Sequence, residues 1–163
     1  NKSIYDIPKD AKLLILSRNK KINGESVEFT LLPIVINSLT KYFLSIGYKE
    51  GRQEIITRLN QLVSYSSIHA IKGGEADAVF LLEANANNMP MRHPDRELSA
   101  VFYDDPRTAD AEADAEERRL YYVAVTRAKE SLYVVTSASE KSIFMSDKAF
   151  VPLEKFAFHD TSI

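Results

Sequence analysis

In Glu116-Glu117-Arg118-Arg119-Leu120-Tyr121-Tyr122-Val123-Ala124-Val125-Thr126-Arg127-Ala128-Lys129, one arginine interrupts an apolar stripe. Helical spacing puts Leu120, Val123 and Ala124 on one face, and Arg127 falls in the middle of it. A guanidinium does not lose its proton, so in such a place it must meet an anion or a ring of acceptors. Two chemistries satisfy it. One is a buried ion pair with a carboxylate from another segment, which is structural. The other is a bound phosphate, which is functional.

A second segment bears on that choice. Ser67-Ile68-His69-Ala70-Ile71-Lys72-Gly73-Gly74-Glu75 precedes the apolar run Ala78-Val79-Phe80-Leu81-Leu82. Paired glycines let the backbone turn sharply and approach a ligand with no side chain in the way. Lys72 adds a positive charge beside them and Glu75 an acceptor just after. Lys-Gly-Gly-Glu alone is also what an ordinary turn looks like.

Together the two segments resemble the last two signature motifs of superfamily 1 DNA helicases of the UvrD/Rep type. The first is similar to that family's Thr-x-His-x-x-Lys-Gly-Leu-Glu. The second is similar to its Glu-Glu-Arg-Arg-Leu-x-Tyr-Val-x-x-Thr-Arg-Ala-Lys and nearly completes it over residues 116–129. The resemblance covers Ser67 to Thr136. It implies the second RecA-like domain of a DNA helicase, with ATP bound between this domain and a first one that carries the phosphate-binding loop. By resemblance Arg127 is the arginine finger, a role that contributes about 10³ to 10⁵ in rate. Glu75 lies near the nucleotide, with Gly73 and Gly74 permitting close approach. Ser67 and His69 face single-stranded DNA, and Lys72 serves one site or the other. Tyr122 and Thr126 flank the finger and position it, core packing being the alternative for Tyr122. The implied cofactor is ATP with Mg, the metal held by the N-terminal ATP-binding domain. That domain and single-stranded DNA are the implied partners, and DNA repair is among the processes served by the fold.

The departures from the family pattern matter. Gly74 replaces a leucine and Ser67 a threonine. No Gly-x-x-x-x-Gly-Lys-Ser/Thr loop occurs, and the Asn-Tyr-Arg-Ser motif that opens the family's second domain is absent. The chain is therefore expected to be inactive in ATP hydrolysis by itself. Leu13-Leu14-Ile15-Leu16-Ser17-Arg18-Asn19 resembles the strand downstream of that motif, with Arg18 either a ligand contact or, as the local turn suggests, an exposed cation. Arg52-Gln53-Glu54-Ile55 resembles the segment after which an accessory domain usually begins, and here the next signature follows with no such insertion. A degenerate helicase-like domain that serves as a nucleic-acid or protein scaffold is the alternative function. An unrelated phosphate-binding α/β domain requires both matches to be accidental.

The elements that position these residues read as α/β. Lys12 to Ser17 is a continuous apolar run, as in a strand covered on both faces. Arg18 to Gly24 reads as a basic turn. Val27 to Ile46 is a helix that Pro33 either opens or kinks, stopped at Gly47. Gln53 to Val63 is a second helix, Ser64 to His69 and Ala78 to Leu82 are strands, and Leu98 to Tyr103 is a short further strand. The Arg127 helix and a strand over Ser131 to Thr136 follow. The acids Asp104, Asp105, Asp110, Glu112, Asp114, Glu116 and Glu117 sit at or before that helix's N-terminus, where the macrodipole favours them. The pattern predicts a mostly parallel RecA-like sheet with helices on both faces, whose ligands lie at the carboxyl ends of the strands and whose two signature segments converge on one edge.

Composition bounds the rest. The 163 residues are expected to form one domain, 1–163, with the tail 138–163 packing its phenylalanines on the body or on a neighbour. A net charge of −2 argues for a narrow nucleic-acid contact, since a stand-alone DNA-binding module carries a basic excess. Cysteine is absent, which excludes disulfides and thiolate metal sites and suits a cytoplasmic setting. His69, His93 and His159 lack metal-ligand spacing, so no metal site is expected. No membrane span or signal segment is expected either.

Overall fold

Strand β1 (Leu13–Ser17) explains its own unbroken apolar run. Leu14 and Leu16 enter one core and Ile15 the other, so both faces of the strand are covered. The computed structural model describes residues 2–71, 73–91, 106–137 and 139–146, with backbone alone at 106–110 and 146. Lys72, the expected strand at Leu98 to Tyr103, and residues 138 and 147–163 of the tail lie outside the described residues.

Among the described residues, β1 pairs with β4 (Val63–Ser67) on one side and β5 (Ala76–Leu82) on the other. Strand β6 (Ala128–Val134) adjoins β5, which gives a parallel sheet in the order β4-β1-β5-β6. Helices α1 (Leu32–Ser45) and α2 (Arg52–Leu62) cover one face, where Ile36, Ile55, Leu59 and Leu62 pack on Ile15 and Val63. Helix α3 (Pro106–Val125) covers the other, with Tyr121 and Ala124 against Leu16, Val79 and Leu81. The expected α/β, RecA-like layering is present.

Local chemistry fixes the element ends. Pro33 lies in the first turn of α1, but Leu31 before it is already helical and the Leu32 amide bonds the Val27 carbonyl, so Pro33 marks a junction within the helix and not its opening. A π-helical turn, Val27–Leu31, precedes it. Gly47, at φ +84°, supplies the left-handed stop. Val27–Ser45 is long and apolar enough to cross a membrane by length and composition, contrary to the expectation that no run comes close. Here it lies against the sheet, with Val27 and Ile36 buried. The expected basic turn after Arg18 is a small hairpin, β2 (Lys21–Ile22) with β3 (Glu25–Ser26). Asn23 and Gly24 have φ of 51° and 83°, the signature of a primed two-residue turn.

The connection from β4 to β5 is unusual. Parallel strands are normally joined by a dozen or more residues containing a helix, yet among the described residues of 68–75 this crossover has none. Ile68 is buried and Ile71 packs beside it, both in the core under α3. The registers place Ser67 level with Ser17 and Leu82. Glu75 therefore sits at the opposite end of the sheet, roughly 20 Å away along the strands.

Candidate functional site

The crossover divides the candidate residues between two ends of the sheet. At the amino ends of β5 and β6, the Ala76 amide donates to the Arg127 carbonyl at 3.0 Å, which sets Glu75 and Arg127 just ahead of two adjacent strands. Gly73 has φ +65°, and a Cβ there would meet nothing within 4 Å. The turn thus requires the left-handed conformation and leaves its outer side open. Gly74 is different. Its Cβ would lie 3.2 Å from the Ile71 Cδ1, so Ile71 already fills the place toward which a leucine would point. Glu75 is exposed and makes no side-chain hydrogen bond among the described residues.

Helix α3 ends at Val125, and Arg127 occupies the turn that follows it rather than a place on the helical stripe. Its Nε donates to the Val123 carbonyl at 3.0 Å and its Nη2 to the Thr126 Oγ1 at 3.4 Å. No carboxylate pairs with it among the described residues. Of its five N–H donors, three are therefore uncommitted there. The group is half-buried, beside the negative end of the helix macrodipole, which holds the cation in place without neutralising it. Arg58 shows the opposite solution. Buried at 7% exposure, it donates to the Ile7 and Pro8 carbonyls and to Gln61, and so ties the N-terminal segment to α2.

Thr126 fastens this turn. Its Oγ1 lies 2.9 Å from the Tyr122 carbonyl and 3.2 Å from that of Val123, and it accepts the Arg127 contact. Tyr122 contributes its carbonyl, while its ring is 58% exposed. The neighbouring Tyr121 is the core residue, at 1% exposure and packed on Phe144 with ring centroids 5.5 Å apart. Burial pushes the Tyr121 phenol up to about 12.

At the carboxyl ends, Ser67 closes β4 with its hydroxyl making no hydrogen bond among the described residues, and His69 projects just beyond it, exposed. Arg18, at the end of β1, reaches both His69 and α3. Its Nη1 lies 2.9 Å from the His69 Nε2. Its Nε donates to the Glu117 Oε2 at 3.1 Å, and its Nη2 donates to Oε1. The second carboxylate oxygen also accepts the Met91 amide at 3.1 Å. Arg18 and Glu117 are 13% and 11% exposed, so this is a largely buried, forked pair and not an exposed turn cation. Glu117 also departs from expectation. With α3 beginning at Pro106, it lies in mid-helix, beyond the first turn in which the macrodipole acts. On the same rim, burial raises the Glu83 carboxyl above its ordinary range, and Asn88 donates to it at 3.0 Å.

The structure therefore joins Gly73, Gly74 and Glu75 with Arg127 at one end of the sheet, and Ser67 and His69 with Arg18 and Glu117 at the other. The expected convergence on a single edge at the strands' carboxyl ends is replaced by two meeting points. One short loop touches both.

The sequence pattern of the UvrD-like helicase C-terminal domain family matches residues 11–139. A Mycoplasma pneumoniae protein named "Probable DNA helicase II homolog" is 27% identical over 117 residues, which is 72% of this chain and 13% of that protein. The chain thus corresponds to a small part of that relative's length.

Proposed function

Since the chain belongs to the UvrD-like helicase C-terminal domain family, we propose that it works as the C-terminal motor half of an ATP-driven DNA translocase and helicase. The observation that carries this reading is Arg127: half-buried, without a carboxylate partner among the described residues, and bonded through its backbone to the residue after Glu75. A guanidinium with free donors at a protein surface is suited to a phosphate. The open turn at Gly73 leaves room for a ligand beside it, so these residues fit a nucleotide polyphosphate.

In this reading Mg-ATP is held mainly by an N-terminal ATP-binding domain of the same protein, and the chain alone does not hydrolyse it. Arg127 neutralises charge on the transferring phosphoryl group when the two domains close, with Thr126 orienting the guanidinium and Tyr122 holding Thr126 through its carbonyl. Glu75 accepts from the nucleotide. Lys72 adds positive charge to the same loop. Ser67 and His69 contact the backbone of single-stranded DNA, so binding tolerates sequence and weakens with salt. The crossover at 68–75 carries nucleotide groups at one end and strand groups at the other. A shift at Glu75 can therefore reach His69 through one short, core-anchored segment. A scaffold would have no use for an arginine that, among the described residues, is kept free of carboxylates.

The test is ATP hydrolysis by the full-length protein with and without single-stranded DNA. Stimulation of about tenfold or more is expected, since strand binding and domain closure are linked. Absence of hydrolysis with DNA present refutes the proposal and favours the scaffold.

A further inference from the structure

We infer that Arg18 is a positioning residue of the strand-binding end, which orients the His69 imidazole and fixes it to α3 through Glu117. The inference rests on the reading of His69 as a strand contact. Arg18 lies at the lip of β1, 51 residues from His69 and 99 from Glu117, and joins the two. Three of its nitrogens are engaged at once. Nε and Nη2 form a fork on the Glu117 carboxylate, and Nη1 lies 2.9 Å from the His69 Nε2 against 3.5 Å from Nδ1. The fork leaves the guanidinium plane little freedom, because Glu117 is itself held by the Met91 amide.

That geometry sets the chemistry of His69. With Nη1 2.9 Å from Nε2 and 3.5 Å from Nδ1, the guanidinium lies over the imidazole ring and not in line with either nitrogen's lone pair. Both ring nitrogens then keep their in-plane edges clear of Arg18, so the ring can donate from its edge to a phosphate oxygen. Arg18 thus fixes how the exposed His69 ring faces outward. It also anchors the ring to the helix whose far end, Val125, eight residues or roughly 12 Å from Glu117, leads into Thr126 and Arg127. Arg18 is spent on its partners and does not itself touch the strand.

The experiment uses the full-length protein and a short fluorescent oligo(dT), with affinity read by anisotropy across a salt series. Arg18→Lys keeps a cation opposite Glu117 but cannot also reach His69. Strand affinity should fall about five- to tenfold, the scale of one ordinary hydrogen bond, with the slope against salt unchanged. Arg18→Lys combined with His69→Ala should bind no more weakly than His69→Ala alone, because Arg18 acts through that ring. Arg18→Ala, measured where circular dichroism shows it folded, should lose at least as much as Arg18→Lys. Wild-type affinity in Arg18→Lys, additive losses in the double variant, or a salt slope reduced by about one overturns the inference while leaving His69 a strand contact. Wild-type affinity in His69→Ala overturns the strand-contact reading, and the inference with it.

Discussion

Glu117→Gln exchanges one oxygen for an NH2 at nearly constant volume. In the wild type the carboxylate accepts from the Arg18 Nε and Nη2 and from the Met91 amide, and the two side chains are 13% and 11% exposed. The amide keeps one acceptor and turns a donor toward donors, so Arg18 retains a charge with no carboxylate against it. Breaking a fully buried pair costs about 3–5 kcal/mol and an exposed pair about 0.2–1 kcal/mol. With about a tenth of each side chain still wet, the expected loss is about 2–3 kcal/mol. In a chain of this size that lowers Tm by roughly 5–10 °C. The same helix carries its own control, since Arg119 and Glu116 pair at 2.6 Å but are 72% and 56% exposed. Glu116→Gln should therefore cost under about 1 kcal/mol. Urea unfolding of both variants, followed by circular dichroism with equal m-values, gives the comparison. Equal losses would refute the claim that burial separates the two pairs.

Two further outcomes follow from the geometry. Burial raises the Tyr121 phenol to about 12, so between about pH 10, the ordinary value, and pH 12 the folded chain holds a proton that the unfolded chain has released. Its contribution is complete below pH 10 and declines as pH rises toward 12. Tyr121→Phe should flatten that limb of the stability profile in alkaline urea titrations, and an unaltered limb would contradict the assignment. At the glycine pair, Gly73→Ala should cost about 1 kcal/mol through its left-handed φ alone, because its Cβ meets open space. Gly74→Ala should stay within about 0.5 kcal/mol, since the Ile71 Cδ1 at 3.2 Å is a side-chain end that can rotate. Equal losses at the two positions in urea unfolding would contradict this.

Much of the frame was legible where one residue's own chemistry decides. The apolar run of β1, Pro33 in the first turn of α1 and Gly47 after it all act locally, and each lies where its type directs. The turn expected over Arg18 to Gly24 is equally local, and Asn23-Gly24 makes it between two short strands. Periodicity held only as far as the helix. It groups Leu120, Val123 and Ala124, which share one core, but α3 ends before Arg127, which bonds the Val123 and Ala124 carbonyls from the turn that follows. The Arg18 fork was not readable, because its partner is 99 residues away and Glu117 had a sufficient local explanation in the acidic run. The split of the site followed from the same kind of gap. A crossover of eight residues, 68–75, with no helix among its described residues, carries its two termini to opposite ends of the strands, and strand spacing alone does not reveal that.

The central claim is that Arg127 acts on a nucleotide phosphate. The measurement that tests it most directly is DNA-stimulated ATPase of the full-length protein, wild type against Arg127→Ala, with equilibrium ATP binding measured on both. The account predicts a fall in kcat of roughly 10³ with ATP affinity nearly unchanged, as for a group engaged mainly in the transition state. Turnover like that of the wild type would contradict it and leave Arg127 as the cation that closes the end of α3.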